Sequence, residues 1–563
     1  MEYWLHVATI FLLYSILGVS LNLLMGYGGL VSMAHAAFYG IGAYAAALSL
    51  MKLGFNFLAG FFFAAIVSGI VGVLIALPAL RVREEYLILL TTAFQMVVYA
   101  LMVSWVSLTQ GTGGITGIPR PTIFGIKIQS PISYLILTLS IAAICYGITW
   151  RITHSPFGRV LKAMREDETA TIALGKNLLR FKAQVFLIAG MMAGAAGSLF
   201  AHYMEFINPY SFTLHESIFI IAIVIVGGTA NIGGSALGAF ILILIPEALR
   251  FLRVGEDLAA PIREIIYGAL LVLFMFFRPQ GLLPEYMGIK RRMKIPSPEE
   301  APEAQPSSTS KNSRPLSTEG IAKSFGGLRA VKNFTFSLER GKVIALVGPN
   351  GAGKTTVFNL LSGFLRPDEG RIFYEGKDIT GYPPYRTCQL GISRSFQDVR
   401  IFGGMTVLEN VMVAFPRQRG ERILDIFLFP WRVRREEERN MRKAMRYLTF
   451  VGLQDKPFEI ARNLSFAEQK LLAIARILAT EGEVFLLDEP TSGVDPAWVG
   501  EILKRVEEVA RMGKAICIIE HNLDVVRGLA DWVYFMDHGE IIAEGEPEKL
   551  LRDPHLAEIY FGA

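Results

Sequence analysis

Cysteine is nearly missing from this sequence of 563 residues: Cys145, Cys388 and Cys517 stand far apart, with no CxxC pair and no Cys/His cluster. That spacing excludes a disulfide framework and a zinc site, and leaves three small hydrophobes for burial. Charge is scarce too. Only 19% of residues are charged against 52% hydrophobic, and the formal net charge is +5. No basic stripe gathers the cations, so the electrostatic footprint of a nucleic-acid binder is absent. The first apolar run, from Leu5, has no basic n-region before it and no small-residue cleavage site after it. It is therefore expected to stay as a membrane span and not to be removed as a signal peptide. One stretch has almost no apolar residues at all: Pro296 to Pro315, rich in Pro, Ser and Glu. It cannot bury enough surface to fold and is expected to be a flexible tether between separately folded units.

The remaining sequence divides at that tether, giving expected domains at 1–285 and 316–563 with a linker at 286–315. A helix needs about 20 mainly apolar residues to cross the hydrocarbon layer. Candidate runs are Leu5–Met25, Leu30–Met51, Phe57–Ala79, Tyr86–Val106, Ile132–Trp150, Ala183–Ala201, Ser217–Gly228, Ser235–Ala248 and Ile262–Phe277. The two short runs around the Gly-rich Gly227–Gly234 segment read as tilted spans or as a re-entrant pair. The expectation is a polytopic all-α membrane domain of eight to ten transmembrane helices, nine preferred. Arg81 and Arg83, the loop from His154 to Lys182, and Arg278 with Lys290–Lys294 carry the cations. Nine spans put all three on the cytosolic side and the N-terminus outside.

Asn22, His35 and Gln95 are polar residues at membrane depth, where the alternatives are a solute pathway or hydrogen bonds between helices. In the cytosolic loop, Asp167 can cap a short amphipathic helix and Gly175 can end one.

The C-terminal part carries chemistry. Gly341–Thr356 reads as strand, Gly-rich loop and helix, and Gly348-Pro349-Asn350-Gly351-Ala352-Gly353-Lys354-Thr355 fits the phosphate-loop pattern GxxxxGK[ST], with Thr356 next. Backbone N–H groups of such a loop face phosphates, the lysine reaches the β/γ-phosphates and the threonine hydroxyl holds Mg²⁺. Val484–Leu487 reads as a buried strand. At its end Asp488 stands where Mg²⁺ is held, and Glu489 where an attacking water is polarised. ATP and Mg²⁺ are the expected cofactors, with Lys354 and Glu489 catalytic.

Further motifs resemble the ABC family of transport ATPases, an α/β P-loop fold with a helical subdomain. Gln397 is similar to its Q-loop glutamine, which contacts Mg²⁺ and water. Leu464–Lys470 sits at the signature position, Ser492–Asp495 at the D-loop, and His521 at the catalytic switch histidine that contacts the γ-phosphate. Phe325 stands where these ATPases stack adenine. The signature departs from LSGGQ, because Phe466 and Ala467 replace two glycines and Glu468 replaces the glutamine. In the family, Ser465 and Asp495 would face nucleotide held by a partner.

Within that family, Gly28–Tyr44, Gly158–Gly175 and Gly227–Gly234 resemble the M-type permeases of branched-chain amino-acid importers. Lys323–Val331 and Arg394–Asn410 resemble their G-type ATPases, as does the long insert that follows with Trp431–Arg435. The resemblance implies a multi-pass protein of the cytoplasmic (inner) membrane with a cytosolic ATPase, importing branched-chain or other hydrophobic amino acids. It implies that the Gly158–Gly175 loop couples permease to ATPase. The implied partners are a second permease and a second ATPase (H-type and F-type) or a second copy of the chain, an extracytoplasmic substrate-binding protein and membrane lipid, with no nucleic acid. Import of urea or short amides is the alternative within the family. An ABC exporter, or an ATP-switched sensor that moves no solute, are the alternatives outside it.

Overall fold

The computed structural model describes residues 2–79, 84–251, 256–285, 314–550 and 556. Arg81, Arg83, Lys290–Lys294 and residues 286–313 of the expected tether lie outside the described residues. Two compact units form: Met1–Arg165 with Leu178–Tyr286, and Glu166–Asn177 with Met287–Ala563. The segment Glu166–Asn177, which lies inside the expected 1–285 domain, therefore packs with the C-terminal unit.

In the first unit the apolar runs become helices α1 (Glu2–Asn22), α2 (His35–Leu53), α3 (Phe57–Ala79), α4 (Glu84–Ser104), α5 (Pro131–Thr153), α6 (Pro156–Glu166, whose last residue passes to the second unit), and then, beyond α7 (Glu168–Ala173) of that unit, α8 (Leu178–Met204), α9 (Leu214–Gly227), α10 (Ile232–Phe251) and α11 (Glu256–Phe277). Among the described residues seven helices are long and apolar enough to cross a membrane, while α9 and the apolar part of α11, Ile265–Phe277, are shorter. Each of the nine candidate runs overlaps a helix. The Leu30–Met51 run becomes helical only at His35, because α1 first passes through a π-helical turn, Leu23–Tyr27, and the chain breaks at Gly29 with φ +71°.

Small residues set how closely these helices approach. A Cβ at Gly42 of α2 would lie 2.3 Å from the Cα of Gly194 of α8, and one at Gly197 would lie 2.1 Å from the Tyr39 carbonyl oxygen. Backbone freed by interruptions must be bonded inside the protein, since lipid offers no partner. Asn22 does this for the α9–α10 turn. Its Nδ2 donates to the carbonyls of Gly228 and Asn231 at 3.2 and 2.9 Å and to Ser235 Oγ at 2.9 Å, and its Oδ1 accepts from Ala230 N at 2.8 Å. Gln95 and Ser217 do the same for the buried start of α2: Gln95 Oε1 accepts from Ala37 N at 2.6 Å, and Ser217 Oγ accepts from Ala36 N at 3.0 Å. His35 Nε2 pairs with Ser20 Oγ at 2.7 Å. All three polar residues thus serve helix-to-helix hydrogen bonding.

The C-terminal unit is built on two sheets. Strands β1 (Leu316–Phe325), β2 (Leu328–Leu338), β4 (Glu369–Tyr374) and β5 (Lys377–Asp378) form an antiparallel sheet in the order β2-β1-β4-β5. Strands β3 (Val343–Val347), β6 (Ile392–Arg394), β7 (Val484–Asp488), β8 (Ala515–Ile519), β9 (Trp532–Asp537) and β10 (Glu540–Gly545) form a second sheet in the order β6-β7-β8-β3-β9-β10, parallel except for β10. Strands β3, β7 and β8 are wholly buried, as their continuous apolar runs demand. Helix α12 (Lys354–Leu361) follows β3, and α13 (Pro384–Leu390) precedes β6. Between β6 and β7 come α14 (Val407–Met412), α15 (Pro430–Phe450), which carries the basic insert, and α16 (Phe466–Leu478); α17 (Pro496–Arg511) follows β7. All three cysteines are buried and unpaired.

The segment Glu166–Asn177 has the local structure its sequence suggests. Asp167 caps α7 by accepting from Ala170 N at 2.8 Å, and Gly175 leaves the helix at φ +79°. Asp167 also pairs with Arg400 at 2.9 Å, Lys176 donates to the Phe415 carbonyl at 2.7 Å and pairs with Glu421, and Gln389 of α13 donates to the Gly175 carbonyl at 2.7 Å.

Asn22→Leu keeps the volume of this buried side chain and orphans the Ala230 N–H and two carbonyls. It is expected to destabilise the helical unit by about 2 kcal/mol or more, seen as a lower thermal midpoint of the detergent-solubilised chain, with Ser235→Ala producing a smaller shift.

Candidate functional site

Five wholly buried residues, Val343–Val347, carry the chain along β3 to the phosphate loop. The loop needs glycine first at Gly348, where φ is +153° and a Cβ would lie 1.9 Å from the Met536 carbonyl. The α12 N-terminus then opens behind Gly353, presenting unpaired N–H groups to an anion. Lys354 folds back over the loop and donates to the Gly348 and Pro349 carbonyls at 2.7 and 2.9 Å. Burial pulls its pKa down, and the charges of Glu489 and Asp488 pull it up.

A cavity of about 560 Å³ stands over this loop. Its lining includes Phe325, Asn350, Gly351, Ala352, Gly353, Lys354, Thr355, Thr356, Gln397, Glu489 and His521. Eleven residues expected from separate motifs thus meet at one place. Phe325 presents a half-exposed ring at the rim, as a base-stacking side chain must. Arg329, Lys332 and His538 join the lining and were not foreseen.

Glu489 is held on all sides. Its Oε2 accepts from Gln397 Nε2 at 3.0 Å and its Oε1 lies 3.0 Å from His521 Nε2. Its backbone sits at φ +47°, a left-handed conformation that costs a non-glycine residue about 1–2 kcal/mol. Its side chain lines the cavity. His521 follows β8, and its N–H donates to the carboxylate of buried Glu520 at 3.3 Å. Glu520 also accepts from the Thr491 hydroxyl at 2.7 Å, so it ties the two strand ends together.

Asp488 lies beneath, at the end of β7. Its carboxylate pairs with Arg394 at 3.1 Å, both side chains only 3% exposed. Burial pushes the Asp488 carboxyl upward in pKa, and Arg394 opposes that shift. Arg394 also donates to Asn359 Oδ1 and, at 3.3 Å, to Ser362 Oγ at the end of α12. Sequence reasoning missed Arg394; the signal was a charge at the end of a three-residue strand that is wholly buried.

Ser465 and Asp495 are not among the cavity's lining residues. Ser465 caps α16: its Oγ accepts from Glu468 N at 3.4 Å, and the Glu468 carboxylate accepts from Ser465 N at 3.0 Å. Glu468 therefore completes a capping box, a physical reason for a carboxylate at that place. Asp495 caps α17 by accepting from Ala497 N at 2.9 Å.

The chemistry of Thr355, Gln397 and Asp488 is hydroxyl, amide and carboxylate oxygen, which suits a hard divalent cation such as Mg²⁺. Among the described residues no cluster of three or more His, Cys, Asp or Glu could hold a metal alone.

Residues 3–275 match the family profile described as branched-chain amino acid transport system / permease component, and residues 331–492 match that of the ABC transporters. The chain is 42% identical over 248 residues to the probable branched-chain amino acid transport ATP-binding protein LivG of Archaeoglobus fulgidus, covering 44% of this chain and 95% of the relative. It is 36% identical over 248 residues to the high-affinity branched-chain amino acid transport ATP-binding protein LivG of Escherichia coli K12, covering 44% of this chain and 97% of that protein. Among solved structures it is similar to a nucleotide-free ATP-binding cassette from an ABC transporter, 37% identical, covering 45% of this chain and all of that one, with a TM-score of 0.39.

Removing one partner of the Arg394–Asp488 pair strands a buried charge, so Arg394→Met is expected to destabilise the C-terminal unit by about 3–5 kcal/mol, whereas Arg394→Met with Asp488→Leu recovers most of that loss. Calorimetric unfolding of the three proteins checks both statements.

Proposed function

This chain belongs to the branched-chain amino-acid ABC transporter family, and from that membership we propose that it imports branched-chain amino acids across the cytoplasmic (inner) membrane. It is a permease and a nucleotide-binding ABC ATPase in one polypeptide, a membrane protein whose ATPase part is cytosolic. We assign residues 1–285 to the permease, 286–315 to the tether and 316–563 to the ATPase, with Glu166–Asn177 as the coupling segment seated among cassette residues.

The observation that carries the hydrolytic reading is the Glu489 carboxylate, held between Gln397 and His521 beside the phosphate loop. ATP would lie with its base on Phe325 and its phosphates over Asn350–Thr356. Mg²⁺, held by Thr355, Asp488 and Gln397, would supply charge neutralisation at the phosphates. Lys354 and His521 stabilise charge on the transferring phosphoryl group, and Glu489 orients and polarises the attacking water. Lys354 is already poised: two loop carbonyls hold its ammonium, and phosphate oxygens can replace them.

Ser465 and Asp495 lie apart from this cavity, which supports a reading in which they serve nucleotide held by a second ATPase. The working transporter then contains a second permease and a second ATPase, of the H-type and F-type, together with an extracytoplasmic binding protein.

Glu489→Gln is expected to lower steady ATP hydrolysis by about a hundredfold or more while nucleotide binding is retained. Reconstituted with its partner subunits and a binding protein, the wild-type complex is expected to accumulate leucine, isoleucine and valine, and not urea. Normal hydrolysis by the variant overturns the role of Glu489, and accumulation of urea without leucine overturns the substrate.

A further inference from the structure

Lys470 closes the signature stretch Leu464–Lys470 and is not among the residues lining the nucleotide cavity, yet its side chain is buried. It lies in the second turn of α16, only 5% exposed. Its Nζ donates to two backbone carbonyls: that of Gln397 at 3.1 Å and that of Glu489 at 3.0 Å. These belong to the two residues whose side chains meet at the cavity. The Phe466 ring, one helical turn earlier, lies 5.6 Å from the ammonium, and Gly493 lies so near the ring that a Cβ there would come within 3.2 Å of it. Phe466 stands at a signature position usually held by glycine, and its aromatic face supplies a cation–π contact that glycine lacks. Burial lowers the lysine pKa, and the charges of Glu520, Glu489, Asp488 and Asp398 oppose that shift.

The contact falls where backbone position matters most. Glu489 has a left-handed φ of +47°, with its N–H fixed to the Ile519 carbonyl at 2.9 Å and its carbonyl fixed by Lys470. A residue pinned at both ends of its peptide unit has its side-chain direction set by those pins. Gln397 has no regular secondary structure around it, and Lys470 holds its carbonyl as well.

We propose that Lys470 is a positioning residue, through which the helix carrying Ser465 fixes Glu489 and Gln397 of the same cassette in the geometry that hydrolysis requires. The proposal rests on the hydrolytic roles given above to Glu489 and Gln397. It makes α16 a shared lever: a shift of that helix moves the water-orienting residues of its own chain directly, without passing through bound nucleotide.

The test uses the full chain assembled with its partner subunits and inactivated in the second ATPase, so that turnover reports this chain's site. Lys470→Met is expected to lower kcat by about tenfold to a hundredfold with KM for ATP unchanged within about twofold, because the phosphate loop is untouched. Lys470→Arg, which keeps a cation and several donors, is expected to recover most of kcat. If Lys470→Met does not fold, Lys470→Gln, which keeps two N–H donors on a shorter, neutral side chain, carries the test and should give an intermediate kcat at constant KM. In a Glu489→Gln background, Lys470→Met should add no more than about a twofold loss, since residues acting as one unit are not additive. An unchanged kcat, an equal change in KM, or a fully additive loss in the double variant overturns the proposal. Normal turnover by Glu489→Gln alone instead overturns the assigned role of Glu489, and separates that failure from one of Lys470.

Discussion

A carboxylate withdrawn from water must be compensated, and the nucleotide site is organised around the compensation of Asp488. Arg394 supplies it at 3.1 Å in a place almost sealed from solvent. The guanidinium has more donors than one carboxylate can use, and the others reach Asn359 and Ser362 on α12. One ion pair thus joins the end of β7, the helix behind the phosphate loop, and the strand β6 that leads to Gln397. The left-handed backbone of Glu489, whose carbonyl Lys470 holds, follows directly after Asp488 in the chain. A buried pair seldom adds net stability over an apolar equivalent, but it admits one arrangement and penalises the rest.

The helical unit solves a related problem with neutral groups. Its interruptions, at Gly28–Ala34 and between α9 and α10, free backbone N–H and carbonyl groups in a region where lipid cannot satisfy them. Asn22, Gln95 and Ser217 take up those groups with short side chains that reach across helix boundaries. Charge would be costly there, and amide and hydroxyl groups do the same work without it. The glycines complement this arrangement: Gly42 against Gly194 lets α2 and α8 approach until backbone touches backbone.

Much of this was legible in the sequence, and the reason is locality. The phosphate loop, the acidic pair after β7, the capping of α7 by Asp167 and the helices of the membrane unit are each written in one short stretch. Their periodicity or turn chemistry needs no knowledge of the rest. What stayed hidden were partners at long separations. Asn22 serves a turn more than 200 residues away, Arg394 and Asp488 are 94 positions apart, and Lys470 reaches a carbonyl 73 positions back. No local pattern announces such a pairing. Of the irregularities at Arg394, Phe466 and Lys470, only Phe466, in place of a signature glycine, stood out in the sequence. The start of α2 was misjudged for a different reason. Apolar character continues through residues 30–34, but the backbone there is not helical, and hydropathy alone does not register that.

The segment Glu166–Asn177 is continuous with α6 and α8 of the helical unit, yet it is bonded to cassette residues through Asp167, Gly175 and Lys176. In a transporter assembled from separate chains, such a contact forms between two molecules and depends on their concentrations. Here both sides belong to one polypeptide, so the encounter is unimolecular. Its strength follows from an effective concentration fixed by the length of chain between them. A contact too weak to hold two free proteins together would still be populated. In the fused chain every cassette therefore comes with its own copy of this segment, whatever the supply of subunits.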